Sequence, residues 1–176
     1  MYVGHGVYKS DSTSVTVEWT KPDELPKQIK LLRTIPEING SAFYSSKHFN
    51  RDLMGFQDSL TLNLYKNPAI IPPMEWLDNT PPQALSKIRK SGKKVKWKVI
   101  NTSIELDKPK QFVIYLNEVG TEFNLENGNF IHEIIREKKF KFLKRNKKRK
   151  KYEVRISVLD RLNNESELSK PVILKL

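Results

Sequence analysis

Between residues 68 and 82 the chain carries five prolines, Pro68, Pro72, Pro73, Pro81 and Pro82, half of its ten. Each ring fixes φ and removes a backbone donor, so no helix interior or central strand passes through PAIIPPMEWLDNTPPQAL. The stretch divides a chain of 176 residues, a length that fits one domain, or one and a part, at about 100–200 residues per domain. Ile70, Met74 and Trp76 are too apolar for a free linker. Residues 67–80 therefore read as an extended, semi-rigid connector that packs on whatever lies beside it.

Charge divides at the same place. Residues 1–80 hold 8 basic and 9 acidic side chains, and residues 81–176 hold 24 and 11, so the net charge of +12 belongs to the second half. The absence of Cys excludes a disulfide scaffold and any cysteine-ligated metal site. No stretch reaches the roughly 18 apolar residues of a membrane span, and residues 1–30 lack the basic-then-apolar pattern of a signal peptide. No transmembrane segment and no export signal are expected in this chain.

The hydrophobic period also changes across the prolines. Before them the pattern is strand, helix, strand, helix: MYVGHGVY, then PDELPKQIKLLRTIP with Leu25, Ile29 and Leu32 at helical spacing, then GSAFYSSKHF, then DLMGFQDSLTLNLYKN with Phe56, Leu60 and Leu64 on one stripe. Two strands separated by a helix are expected to pair in parallel. After the prolines the period is 2. Val95, Trp97 and Val99 alternate with Lys94, Lys96 and Lys98. An earlier strand at Ala84 to Arg89 and the runs KQFVIYLN, NFIHEII, KFKFL, KYEVRISVL and KPVILKL bring the number expected to seven, which antiparallel pairing turns into a two-sheet sandwich.

Several of these segments carry a resemblance. Trp97, the FVIYLNE run from Phe112 to Glu118, the strand from Tyr152 to Ile156 and the VLDRLNNESELS ending from Val158 to Ser169 resemble a fibronectin type III module over residues 81–176. The resemblance implies a corner anchored by Tyr152. In the first half, YVGHGVY, PKQIKLLR, GSAFYSSKHF, GFQDSL and YKNPAIIPPMEW are collinear with motifs of the glycosyl-hydrolase-like family ten. That family is similar in having a fibronectin-like module after a (β/α)8 barrel, and it acts on peptidoglycan glycan strands. The implied fold class is an α/β fragment, the last two strand–helix units of a TIM barrel in residues 1–66, followed by an all-β sandwich. At about 31 residues per unit, eighty residues supply only two units and the connector. The chain is thus expected to be the C-terminal part of a hydrolase whose parent is periplasmic, an outer-membrane lipoprotein or secreted.

Glycosidases usually use two carboxylates, and barrel enzymes place them at the C-terminal ends of strands. The two expected strands end at Val7-Tyr8-Lys9 and Tyr44-Ser45-Ser46-Lys47 without Asp or Glu. No catalytic residue is therefore expected here. Tyr8 and Tyr44 are candidate stacking platforms for sugar, and Ser45 and Ser46 candidate hydroxyl partners; the competing reading is that His5 and Tyr44 are core residues satisfied by neighbouring strands. His5 reads as a core histidine and His48 as a surface one. His132-Glu133 in HEIIR lacks the second His of a zinc-protease helix, and there is neither a Gly-rich phosphate loop nor a G-x-S-x-G elbow, so no cofactor or metal is expected.

Lys138 to Lys151 holds 10 basic residues in 14 and would attract polyanions nonspecifically. Phe140 and Phe142 alternate with Lys139 and Lys141, which is the pattern of a strand with a charged outer face and inward aromatics that cannot stack on bases. The expected partner is a glycan substrate of the parent enzyme. A stand-alone fibronectin type III-type binding module and a basic nucleic-acid-binding protein are the rival readings.

Overall fold

The computed structural model describes residues 1–51, 53–125, 127–143 and 150–176. The chain divides into two compact units, Met1–Lys66 and Asn67–Leu176.

In the first unit, β1 (Tyr2–Gly6) and β2 (Gly40–Tyr44) pair in parallel, with Tyr2 opposite Gly40 and Gly6 opposite Tyr44. Helix α1 (Glu24–Leu32) lies between them in sequence. Glu24 stands in its first turn and Lys30 in its last, each favoured there by the helix dipole. Its apolar stripe buries Leu25 and Ile29 against Val7, Leu53 and Phe56. Helix α2 (Phe56–Ser59) has only four residues before it widens into a π turn, Leu60–Leu64, closed by Tyr65 N–H donating to the Leu60 carbonyl at 2.7 Å. Phe56, Leu60 and Leu64 nevertheless all face the same core. Gly55, which precedes α2, has φ +79°, a left-handed conformation that glycine adopts without penalty.

The expected barrel fragment is not what these residues form. The described chain is mostly β, in three sheets with two short helices. Among the described residues β1 and β2 pair only with each other, and most of their positions are partly or fully exposed. A barrel strand is flanked on both edges and buried on both faces. Short 3-10 turns at Val7–Lys9, Val17–Thr20 and Ser46–Asn50 occupy much of the remaining chain. The reason for the difference is physical: helical spacing of apolar residues records which face is buried, and carries no information on how many strands lie alongside.

The second unit has seven strands, the number expected, with the first running over Lys87–Ser91 where the sequence predicts Ala84 to Arg89. These are β3 (Lys87–Ser91), β4 (Lys94–Lys98), β5 (Gln111–Glu118), β6 (Ile131–Ile135), β7 (Lys139–Lys141), β8 (Lys151–Leu159) and β9 (Val172–Lys175). They form two antiparallel sheets, ordered β3-β4-β7 and β6-β5-β8-β9. The sandwich-like core between them joins Val95 and Trp97 to Phe112, Ile114, Leu116, Val154, Ile156 and Val158. Trp97 meets Phe112 edge to face with ring centroids 5.3 Å apart.

Strand β5 is buried on both faces. On the side away from the main core, Val113 and Tyr115 pack with Ile131, Leu159, Ile70, Phe123 and Phe130. The proline-rich segment is part of this cover. Met74 N–H donates to the Leu162 carbonyl at 3.0 Å, and Asn164 Nδ2 donates to the Asp78 carbonyl at 3.1 Å. Asp160, fully buried, accepts from the backbone N–H groups of Leu162 and Asn164 at 2.8 and 2.9 Å and so fixes the loop that receives the segment. Phe142 is buried and Phe140 half-buried, as the alternation in KFKFL requires. Lys144 to Arg149 of the basic run lie outside the described residues.

Candidate functional site

Parallel pairing makes β1 and β2 leave their sheet at the same end, and this gathers the candidate residues. Tyr8 sits in the 3-10 turn that follows β1, anchored by fully buried Val7, and Tyr44 is the last residue of β2. Their rings meet edge to face at 6.2 Å with an interplanar angle of 87°. Both remain accessible, Tyr8 at 46% and Tyr44 at 68% exposure. Tyr44 is therefore a surface residue and not a core one. A Cβ at Gly6 would lie 3.0 Å from Cε1 of Tyr8, so a side chain there would push the Tyr8 ring aside by a few tenths of an ångström.

Ser45 and Ser46 continue directly from β2, half-buried and exposed respectively. The Tyr44–Ser45 peptide is cis. Ser45 is the residue before a second 3-10 turn, Ser46–Asn50, and its carbonyl accepts from His48 N–H at 3.0 Å. That turn swings His48 back against Tyr8, with ring centroids 5.9 Å apart.

Three residues complete the site that their sequence positions do not reveal. Arg51 donates through Nη2 to the Tyr8 carbonyl at 2.7 Å and reaches Asp11 Oδ2 through Nη1 at 3.4 Å. Its own carbonyl accepts from Gln57 Nε2 at 2.7 Å, which ties the clamp to α2. Asp11 Oδ1 accepts from the N–H and hydroxyl of Thr13 at 2.9 and 2.7 Å. Those two hydrogen bonds, with the Arg51 charge, hold the Asp11 carboxyl below the usual carboxylate range. An acid held ionised in this way has no proton to donate to a leaving group at neutral pH. His48 is pushed below the usual imidazole range by partial desolvation first, then by Arg51 and Lys47, so its neutral ring is favoured.

His5 lies elsewhere, in the strand proper. It is buried, its two ring nitrogens contact Gln28 Oε1 at 3.3 Å and Ser41 Oγ at 3.0 Å, and it stacks on Phe43. His132 in β6 stacks on Phe142 at 5.3 Å. Among the described residues no group of three or more His, Asp or Glu is placed to hold a metal ion, and no helix is long and apolar enough to cross a membrane.

What the strand ends offer chemically is an aromatic pair with polar groups at its margin. Among the described residues, the hydroxyls of Tyr8, Tyr44, Ser45 and Ser46 make no hydrogen bond to the protein, so all four are available to a ligand. No protein-family model matches the chain. It is 32% identical over 182 residues to a Bacillus subtilis (strain 168) protein named Glycosyl hydrolase YngK. The chain is thus related to a glycosyl hydrolase. The similarity spans 97% of this chain and 33% of that protein, so the chain corresponds to about a third of its relative's length.

Proposed function

We propose that the chain is a glycan-contacting portion of a glycosyl-hydrolase-like protein, corresponding to its C-terminal part. In this reading it contributes sugar contacts, and the acid and base of hydrolysis belong to other parts of the protein. The observation that carries it is the Tyr8–Tyr44 pair, two exposed rings set edge to face with unengaged hydroxyls, in a chain related along nearly its whole length to a glycosyl hydrolase. A sugar packs its C–H face on one ring while Ser45 and Ser46 hydrogen-bond its hydroxyls. Arg51 holds the Tyr8 turn in place and Asp11 holds Arg51. Peptidoglycan glycan strands are the substrate that the family-ten resemblance favours.

The second unit fits a fibronectin type III-like module in this proposal. The division of its strands into β3-β4-β7 and β6-β5-β8-β9 supports that reading, as does the turn in which Asp160 is buried. Its role would be to present or extend the glycan-binding surface.

The test is titration of the chain with peptide-free peptidoglycan glycan strands, followed by NMR. Shifts are expected at Tyr8, Tyr44 and Ser45, and Tyr8→Ala or Tyr44→Ala should weaken binding about tenfold, the loss of one aromatic contact. Shifts confined to other residues, or alanine variants that bind as well as the parent, would refute the proposal.

A further inference from the structure

The outer face of the three-stranded sheet is a grid of positive charge. Alternation turns Ile88, Val95, Trp97 and Phe140 toward the core and leaves Lys87, Arg89, Lys94, Lys96, Lys98, Lys139 and Lys141 exposed on the opposite side. Register then sets like charges directly against each other: Lys87 faces Lys98, Arg89 faces Lys96, Lys96 faces Lys139, and Lys94 faces Lys141. Such opposition destabilises a sheet. None of the seven cations is in an ion pair among the described residues. The row forms a positive potential over the sheet that an acidic polymer would complement.

At its β7 side the face opens into a groove of about 400 Å³. It is lined by Lys94, Lys96, Lys139 and Lys141, by the apolar Phe140 and Ile135, and by Glu133 and Glu137. Cations recur about 5 Å apart from strand to strand and about 7 Å apart along a strand. That spacing suits an extended polymer with one charge per repeating unit. The groove supplies what a sugar needs beyond charge, an aromatic ring for its C–H face and acceptors for its hydroxyls. Outside the groove the strand face carries no aromatic ring on which successive bases could stack and no Asn or Gln to read base edges.

We infer that the outer face of β3-β4-β7, with the groove beside β7, binds a linear acidic polysaccharide bearing one negative group per sugar. The inference rests on the glycan reading above for the kind of polymer, and it uses none of the residues of the tyrosine site.

The experiment is affinity electrophoresis of the 176-residue chain at about 0.15 M salt, where long-range attraction between exposed charges is largely screened. The probes are polygalacturonate, neutral dextran, single-stranded DNA of matched charge and vesicles containing phosphatidylserine. Polygalacturonate is expected to retard the chain, dextran to have no effect, and DNA and vesicles to bind at least about fivefold more weakly. The double variant Lys96→Gln, Lys139→Gln should lose about tenfold in retention, while the charge-matched double variant Lys147→Gln, Lys148→Gln loses less than about twofold. Circular dichroism of both confirms that the sandwich is intact. Absence of retention by polygalacturonate, equal losses in the two double variants, or DNA or vesicle binding as tight as the polysaccharide would each overturn the inference. The double variant Lys96→Gln, Lys139→Gln leaves Tyr8, Tyr44, Ser45 and Ser46 in place, and the shifts of those residues with glycan strands are read on it separately, so this test and that of the tyrosine site fail separately.

Discussion

Arg51 is the residue on which the tyrosine site turns. One guanidinium braces the backbone of Tyr8, pairs with Asp11 and lowers the affinity of His48 for protons. Because desolvation and then Arg51 depress the His48 value below 6.5, Arg51→Gln is expected to move its titration midpoint upward, as read from its imidazole proton shifts. The sign for stability follows from linkage. A histidine whose folded value lies below its unfolded one contributes fully above its unfolded pKa of 6.5, and that contribution is lost as the pH falls through the lower folded value. The melting temperature of the parent chain should accordingly fall slightly from pH 7 to pH 5, and the part of that fall due to His48 should shrink in Arg51→Gln. Sequence alone placed Tyr8, Tyr44, Ser45 and Ser46 together, because a parallel pair must release both chains at one end. It could not place Asp11, His48 or Arg51, which reach the site through two 3-10 turns whose geometry no hydrophobic period encodes.

At the level of elements, the sheet β3-β4-β7 is the clearest case of local conflict. Lys96 is flanked across both neighbouring strands by cations, Arg89 and Lys139. Lys96→Glu converts two repulsive cross-strand pairs into attractive ones and should stabilise the second unit by about 0.5–1.5 kcal/mol, measured by urea unfolding. The same change should abolish retention by an acidic polymer, a gain in stability made at the expense of binding. Strands of this kind were legible because one face is wet: Val95 and Trp97 alternate with lysines, and the register follows. Strand β5 was legible as a strand but not in its surroundings, since FVIYLNE is apolar on both faces and only the cover from Ile70, Phe123 and Phe130 explains why. The second helix was legible in its stripe and not in its kind. Phe56, Leu60 and Leu64 share a face in a regular helix and also in a short α turn that opens into a π turn.

For the whole molecule, the two units have separate hydrophobic clusters, and the proline-rich segment is fastened to the second. A chain beginning at Asn67 should melt cooperatively as a folded sandwich. One beginning at Pro81 loses the cover of Ile70 and the hydrogen bonds of Met74 and Asp78, and should be less stable by about 2–4 kcal/mol in a denaturant titration. The proline cluster announced a boundary but not the side to which it belongs, because a ring that forbids regular structure says nothing about what its apolar neighbours cover. The three tryptophans also differ in their settings: Trp19 packs at the edge of the first core, Trp76 is exposed, and Trp97 is buried with an indole N–H that has no hydrogen-bond partner among the described residues. An indole shielded from water and unbonded emits at short wavelength. Loss of that blue component would report the opening of the sandwich by light alone, with no label attached.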